Sequence, residues 1–284
     1  MPEIKHVPEL IKEEKAPSNV MLEIRHISKT FNLGTINEKK ALVDLNLRLE
    51  KGDFVTVIGG NGAGKSTMLN AVAGVWPVDA GQIMIDGADV TGLPEYKRAA
   101  YIGRVFQDPM MGSAPDMQIV ENLALAYRRG QRRGLKWGVS RAEQKLYREK
   151  LQILGLGLED RMTTKVGLLS GGQRQALTLL MASLQQPKLL LLDEHTAALD
   201  PATAAKVLEI SDKIVRENEL TALMITHNMR DAIALGNRLI MMNEGRIILD
   251  IRGEEKKKLT REELLRKFAE IAGVQEETDS VLLS

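Results

Sequence analysis

The sequence predicts an α/β fold built around a mainly parallel β-sheet, and three observations lead to it. The apolar run "DFVTVIGG" at residues 53–60 ends in glycines, which is typical of a buried parallel strand that opens on a glycine loop. Similar runs recur as "KLLLLD" (188–193), "TALMIT" (221–226) and "RLIMMN" (238–243). Segments with helical spacing separate these runs, and strands that alternate with helices form a parallel sheet covered by helices.

Two strand patterns precede the first buried run. The segment "MLEIRHISKTF" places Leu22, Ile24 and His26 on one face against polar neighbours, and residues 41–53 alternate in the same way. Alternation with a period of two predicts strands with one buried face. Residues 1–20 contain prolines and a charge cluster, and we expect them to form a loosely attached extension or a short surface helix.

Helical and strand patterns then follow the glycine loop in turn. The segment "KSTMLNAVAG" has helical spacing and ends at Gly74, which predicts a helix stop. Residues 81–90 alternate around an Asp-Gly turn, and residues 101–108 predict another short strand. Residues 110–170 contain amphipathic spacing in "MQIVENLALAYRRG" and "RAEQKLYREKLQILGLG". We interpret this stretch as a mainly helical insertion.

The last predicted element is a helix over residues 259–273. Thr260 and Glu263 have the spacing of a capping box, and Gly273 is a suitable C-cap. The apolar positions that share one face are Leu264, Leu265, Phe268 and Ile271. The pattern leaves open whether this helix regulates the protein or packs on the sheet.

The composition is that of a globular protein. The 284 residues are 44% hydrophobic and 27% charged, and 39 basic residues against 38 acidic ones leave a net charge of +1. This balance gives no reason to expect a nucleic-acid partner. The absence of cysteine excludes a disulfide scaffold and a thiolate metal site. The first residues lack an apolar core, so no secretory signal is expected, and every apolar run is shorter than the roughly 20 residues of a membrane span.

The glycine loop carries a nucleotide-binding motif. Its sequence "GGNGAGKST" contains Gly-x-x-x-x-Gly-Lys-Ser between a predicted strand and a predicted helix. In this context the glycines let backbone N–H groups surround a phosphate, the lysine reaches the β- and γ-phosphates, and the serine hydroxyl binds Mg²⁺. The residues expected to hold ATP are therefore Gly59, Asn61, Gly62, Ala63, Gly64, Lys65, Ser66 and Thr67.

Two acidic residues end the run "LLLLDE". We expect Asp193 to be the Mg²⁺-linked carboxylate, because it comes at the carboxyl end of a predicted parallel strand. Glu194 follows it directly, and a carboxylate beside the γ-phosphate can polarise the attacking water, so Glu194 is the candidate general base. The alternative is a pair of exposed acids at a strand end.

The segment "LLSGGQRQAL" is a turn running into a helix. Ser170 and two glycines expose backbone N–H groups at the helix start, where the positive end of the dipole favours an anion. With this motif, Lys65 and "LLLLDEHTAALD" in one order, the chain resembles the ATP-binding cassette (ABC) ATPases from about residue 21 to residue 245. The resemblance implies two head-to-tail copies, or a copy and a paralogue, in which Ser170, Gly171, Gly172 and Gln173 cap the ATP of the partner.

The resemblance also implies the domain layout. An ABC ATPase domain at 21–253 follows the extension at 1–20 and precedes a helical tail at 254–284. The domain combines the P-loop parallel sheet with an antiparallel β subdomain and an inserted α-helical subdomain at about 110–175.

Four further residues match functional positions of the family. Phe31 corresponds to an aromatic that stacks on adenine, although it could be a strand core residue. Gln107 corresponds to the glutamine that contacts Mg²⁺ and the attacking water, and His227 to the switch histidine at the γ-phosphate. Asp200 matches the aspartate of the loop at the dimer interface. A solvated glutamine and a surface or core histidine are the plainer alternatives for Gln107 and His227.

Three positions depart from the family pattern. Ala197 replaces a frequent serine, His195 a frequent proline, and Gly60 a usual proline or serine. These departures affect the expected communication between the two ATP sites and not the expected chemistry.

A cassette without membrane helices implies a separate permease and a location at the cytoplasmic face of the membrane. The family resemblance favours a bacterial importer with an extracytoplasmic solute-binding protein, and some stretches are similar to cassettes of amino-acid uptake. The alternatives are the ATPase of an exporter or of another envelope ABC machine, and a soluble cassette of DNA repair or translation. Met110, Met111 and Met117 suit a permease contact or ordinary packing, and "RRGQRRG" at 128–134 suits lipid headgroups or a solvated loop.

Overall fold

The computed structural model describes residues 19–130 and 138–272. Within these residues the strands are β1 (Val20–Phe31), β2 (Lys39–Glu50), β3 (Phe54–Ile58), β4 (Ala80–Ile85), β5 (Ala88–Asp89), β6 (Ile102–Val105), β7 (Leu189–Asp193), β8 (Thr221–Ile225), β9 (Arg238–Asn243) and β10 (Arg246–Arg252). The helices are α1 (Lys65–Ala73), α2 (Glu95–Arg98), α3 (Ile119–Tyr127), α4 (Arg141–Gln152), α5 (Gly171–Ser183), α6 (Pro201–Glu217), α7 (Met229–Ala234), α8 (Gly253–Lys258) and α9 (Arg261–Ala272).

The larger sheet has the order β10-β9-β3-β8-β7-β6, and all its pairs are parallel except β9 with β10. This confirms the predicted mainly parallel sheet. Strand β10 was not predicted from the sequence. It follows β9 through a two-residue turn in which Glu244 (φ 46°) and Gly245 (φ 74°) both have positive φ, the geometry that joins antiparallel strands tightly.

The smaller sheet is antiparallel, with the order β2-β1-β4-β5, as the family resemblance implied. Leu22 and Ile24 are buried as predicted, but the placement of His26 on the same face is wrong. The β1 register shifts between Ile24 and Ile27, and His26 adopts φ 51°, so its side chain is exposed while Ile27 is fully buried. The cause is a β-bulge, which breaks the period of two.

The parallel sheet is buried on both faces, which explains its uninterrupted apolar runs. Along β7, Leu190 and Leu192 pack with residues of α3, α4, α5 and α6 in one core cluster. Leu189 and Leu191 point to the other face and pack with α1 and the antiparallel sheet. No helix of the described ranges is both long and apolar enough to span a membrane.

The tail helix α9 packs against α7 and the strands β9 and β10 of the larger sheet. The predicted capping box forms, because Glu263 N–H donates to Thr260 Oγ1 at 3.2 Å and Thr260 N–H donates to Glu263 Oε2 at 3.0 Å. Leu264 and Phe268 are buried against α7, β9 and β10. The side chain of Ile271 and the predicted cap Gly273 lie outside the described residues, as do the extension 1–18 and residues 131–134 of the basic segment.

The described part of that basic segment is not simply solvated. Arg128 Nη2 donates to Glu143 Oε1 of α4 at 2.6 Å, and burial lowers the pKa of Arg129. Its use toward lipid headgroups and the exact domain boundaries remain predictions.

Candidate functional site

The glycine loop joins β3 to α1 and passes very close to the neighbouring backbone. A Cβ on Gly59 (φ 148°) would lie 2.2 Å from the carbonyl oxygen of Met242, and one on Gly64 (φ 100°) would lie 2.6 Å from that of Ala41. No other residue type fits these two positions without displacing backbone. The close approach explains why the motif needs glycine here.

Lys65 is the first residue of α1 and is almost fully buried. Its ammonium donates to the carbonyl oxygens of Gly59 at 2.6 Å and Gly60 at 3.1 Å. Burial lowers the pKa of Lys65, while the nearby carboxylates of Glu194 and Asp193 act in the opposite direction. Because Gly64 provides no side-chain cap and the first turn of α1 has no acidic residue, the N–H groups at this helix start are suited to a phosphate.

Asp193 ends β7, and its carboxylate lies 3.4 Å from Arg104 Nη2 of β6. Burial raises the pKa of Asp193, although Arg104 and Lys65 both favour its charged form. The same Arg104 nitrogen donates to Asn70 Oδ1 of α1 at 2.7 Å. The sequence analysis missed Arg104, for which a single arginine inside the apolar segment "YIGRVF" was the available signal.

Glu194 and His227 contact each other directly. Glu194 follows β7 and His227 comes just after β8, and the two strands are parallel neighbours, so their carboxyl ends meet. Glu194 Oε1 lies 2.6 Å from His227 Nε2, and the side chains are 11% and 41% exposed. Glu194 has φ 45°, and its N–H donates to the carbonyl oxygen of Ile225 at 3.1 Å. The more buried carboxylate is thus oriented by a histidine that reaches solvent.

Lys65, Glu194 and His227 line one cleft of about 380 Å³. Phe31 lies at this cleft and not in the strand core, and its ring makes an edge contact with Trp76 at a centroid distance of 5.5 Å. Trp76 was not identified from the sequence. The cleft is lined by Phe31, Lys39, Ala41, Asn61, Gly62, Ala63, Gly64, Lys65, Ser66, Thr67, Gln107, Glu194 and His227.

The oxygen donors beside the cleft fit a magnesium ion. Ser66 and Gln107 are exposed residues that line the cleft, and Asp193 lies in the adjoining groove with Gln107. Hydroxyl, amide and carboxylate oxygens are the ligands that Mg²⁺ prefers, and it takes the rest from water and phosphate. No group of three or more His, Cys, Asp or Glu side chains in residues 19–130 and 138–272 could hold a metal by itself.

The segment around Ser170 forms the predicted helix start but does not line this cleft. Gln173 N–H donates to Ser170 Oγ at 3.3 Å, and Ser170 N–H donates to Gln173 Oε1 at 3.2 Å. Ser170 and Gly171 are exposed, whereas Gly172 is buried against Thr203 of α6. The exposed N-terminal end of α5 therefore lies apart from the cleft of its own chain.

The loop after Glu194 is fixed from both sides. His195 is buried, and its Nε2 lies 2.8 Å from Ser211 Oγ of α6. Burial lowers the pKa of His195 to about 4, so the ring is neutral at physiological pH. Asp200 N-caps α6 by accepting the Thr203 N–H at 3.1 Å, and hydrogen bonds from the Thr203 side chain and then from its N–H lower the pKa of Asp200. Ala197, between these two anchors, is exposed.

Comparisons with known proteins agree on one family. A family model described as ABC transporter matches residues 42–197. The chain is 46% identical over 248 residues to a tyrosine transport ATP-binding protein of Clostridioides difficile (strain R20291), covering 87% of this chain and 98% of that one. It is 35% identical to the aliphatic sulfonates import ATP-binding protein SsuB of Albidiferax ferrireducens, covering 81% of this chain and 73% of the relative.

The solved structures give the same result. The chain is similar to a dimeric, post-hydrolysis state of the ATP-binding cassette MJ0796 bound to ADP and phosphate. The TM-score is 0.69 at 29% sequence identity, and the match covers 82% of this chain and 98% of that one.

Proposed function

This chain belongs to the ABC transporter family and is an ATPase, and from that premise we propose that it powers an importer of amino acids or related small solutes. The observation that carries the proposal is the contact between Glu194 and His227 in the cleft that Lys65 also lines. This arrangement brings a carboxylate base, a histidine and a phosphate-binding loop into one site. ATP hydrolysis needs a base or water-positioning group beside the bound phosphates, and the Glu194–His227 pair can supply it.

In the proposed reaction, the Lys65 ammonium exchanges the carbonyl oxygens of Gly59 and Gly60 for the β- and γ-phosphate oxygens of ATP. Phe31 stacks on the adenine. Glu194 accepts a proton from the attacking water, and His227 orients this carboxylate and contacts the γ-phosphate. Ser66, Gln107 and Asp193 would hold a bound Mg²⁺, whose charge would offset that of the phosphates.

We propose that the active form is a head-to-tail dimer of two copies, or of this chain with a paralogue. The outward-facing start of α5 supports this, because Ser170 and Gly171 do not reach the cleft of their own chain. Pairing would place this helix start over the ATP held by the partner, with Asp200 at the interface. The dimeric state of the similar cassette MJ0796 also supports it.

A groove beside Gln107 supports a contact with a membrane permease. The groove has a volume of about 610 Å³ and includes Phe106, Asp108 and Met111. The Met110 and Met111 side chains are 42% and 69% exposed, as an adaptable apolar contact requires, while Met117 is half-buried. The proposed complex lies at the cytoplasmic face of the membrane and receives its cargo from an extracytoplasmic solute-binding protein.

Amino acids are the proposed cargo because the tyrosine relative matches over most of both chains. The sulfonate relative matches at lower identity and over less of its own length, so it supports import more than it supports a particular solute. An exporter would use the same ATP chemistry and is the second candidate.

The test is the variant Glu194→Gln. We expect the ATPase rate to fall by at least about 100-fold, because the general base is lost, while ATP binding is retained. Mass photometry at saturating ATP and Mg²⁺ should then show an accumulated dimer. Glu209→Gln, an exposed glutamate of α6, is the matched control and should behave as wild type.

A variant that stays monomeric across saturating ATP would contradict the dimer, and an unchanged rate would contradict the role of Glu194. The transport assignment is tested separately by gentle extraction of the tagged chain from its native membrane. Recovery of a polytopic permease with a solute-binding protein is expected, whereas recovery with ribosomes or nucleic acid alone would contradict import.

A further inference from the structure

A second cavity lies at the opposite edge of the parallel sheet from the ATP cleft. We call it the basal cavity, and its volume is about 930 Å³. It is reached at the amino end of β3, at Phe54, and just before β8 and β9, at Leu220 and Asn237. The amino ends of parallel strands lie together and their carboxyl ends lie together. The basal cavity and the ATP cleft are therefore separated by the length of the strands.

The basal cavity contains a buried lysine. Lys256 of α8 is 2% exposed, and its ammonium donates to the carbonyl oxygens of Leu235 and, at 3.2 Å, of Gly236. Among the described residues no carboxylate forms an ion pair with it. Burial lowers the pKa of Lys256 to about 8, so it remains mostly protonated at neutral pH. An ammonium has three N–H groups, and two are used.

The other basic residues of the cavity are each paired with a carboxylate close by. Lys51 pairs with Asp86 at 3.0 Å, Arg216 with Asp212 at 2.9 Å, and Lys257 with Glu254 at 2.6 Å. Glu219 is the acidic residue of the lining. Lys256 is therefore the buried cation of the described lining without an acidic partner, and a buried charge without a partner is costly.

Apolar side chains form part of the remaining surface of the cavity. Phe54, Val215, Leu220, Ile233 and Ala234 line it. A cavity of this size that combines apolar side chains with one buried charged group is a candidate small-molecule site. The plainer interpretation is that Lys256 only caps the carboxyl end of α7, whose last carbonyls it binds.

We propose that the basal cavity binds a small organic anion with an apolar body, whose carboxylate pairs with Lys256 while the body packs on Phe54, Leu220 and Ile233. The carboxylate supplies the missing counter-charge, and the apolar body fills the volume beside it. A bare inorganic anion would supply the counter-charge without filling the volume, and a neutral apolar molecule would fill the volume without supplying the counter-charge.

The test is calorimetric titration of the full chain with 3-phenylpropanoate, with ADP and Mg²⁺ saturating so that the ATP cleft is filled. We expect one site per chain with a Kd below about 1 mM. The uncharged 3-phenylpropanol, acetate and inorganic phosphate should each bind at least about tenfold more weakly. The measurement does not depend on ATP hydrolysis.

Three variants separate binding from helix capping. Lys256→Met should lose binding, whereas Lys258→Met, an exposed lysine of the same helix outside the cavity lining, should keep it. Ala234→Leu fills the cavity from an exposed position and leaves Lys256 in place, so it should lose binding without changing the melting temperature. No saturable binding by wild type, equal binding by phosphate, or binding retained in Ala234→Leu would overturn the proposal.

Discussion

At the scale of single residues, the candidate general base is held in an unfavourable backbone conformation. Glu194 has φ 45°, a region that costs a non-glycine residue energy unless its surroundings fix it. Its N–H bonds to Ile225 and its carbonyl oxygen accepts the Ala197 N–H at 2.9 Å. The next residue, His195, is anchored on Ser211 of α6. The strain is therefore maintained by contacts on both sides of Glu194.

The Ser211→Ala variant tests this anchor. It leaves a buried imidazole nitrogen without its partner, which should reduce the free energy of unfolding by about 1–3 kcal/mol. Because the loop after Glu194 loses its attachment to α6, we expect a lower kcat for ATP hydrolysis with an unchanged KM for ATP. Denaturant unfolding measures the free energy of unfolding, and steady-state kinetics measure kcat and KM.

The matched control is Ser183→Ala, since Ser183 is also a buried helical serine but donates only to the carbonyl oxygen of Leu180 in its own helix. It should keep wild-type kcat. Equal kinetic effects of the two substitutions would argue against an anchoring role for His195.

Local sequence motifs predicted some residues of the candidate site and missed others. The pattern around Lys65 and Asp193 predicted residues that the structure indeed brings near one cleft, because each motif is local and follows a strand. Arg104 and Trp76 were missed, since their contacts with Asp193 and Phe31 join segments that are distant in the chain.

At the scale of elements, regular patterns predicted well and irregular ones did not. Strands β3, β7 and β8 were predicted because burial on both faces leaves a continuous apolar run. The bulge at His26 was not predictable, because an extra residue in a strand leaves no mark on the apolar alternation before it. Strand β10 was missed because it lies at the edge, where its partly exposed residues show weak alternation.

In the first turn of helix α5, Gly171 and Gly172 differ in how much space surrounds them. A Cβ on Gly172 would lie 2.0 Å from Thr203 Cγ2 of α6, while one on Gly171 would lie 3.3 Å from Leu199 Cδ2. Gly172→Ala should therefore destabilise the protein by about 1 kcal/mol through overpacking. Gly171→Ala, the matched control, should leave the free energy of unfolding near that of wild type.

A double-mutant cycle identifies the cause. Thr203→Ser removes the methyl group that a Cβ added at Gly172 would meet, so Gly172→Ala should cost at least about 0.5 kcal/mol less in that background. Strictly additive effects would show that the α5–α6 contact is not what requires glycine here.

At the scale of the whole molecule, the parallel sheet separates two cavities and α7 connects them. The helix begins after His227 of the ATP cleft, with Asn228 as its N-cap, and ends at the carbonyls of Leu235 and Gly236 that Lys256 binds. The basal cavity has no local sequence signal, because Lys51, Arg216 and Lys256 come together only in the folded chain. Motif analysis could therefore propose residues for an ATP site, and it could not point to this cavity.

This connection predicts that an anion in the basal cavity slows ATP hydrolysis. A carboxylate that accepts the third N–H of Lys256 draws the ammonium away from the carbonyls of Leu235 and Gly236, loosens the end of α7 and disturbs the His227 contact with Glu194. We expect saturating 3-phenylpropanoate to lower kcat at least about twofold with little change in KM, which corresponds to a coupling of a fraction of a kcal/mol. The Lys258→Met variant should respond like wild type and Lys256→Met should not respond. A ligand can change the ATP cleft only if it binds two conformations of the protein with different affinity. Calorimetric binding without any change in kcat would therefore contradict coupling through α7, although the basal cavity would be occupied.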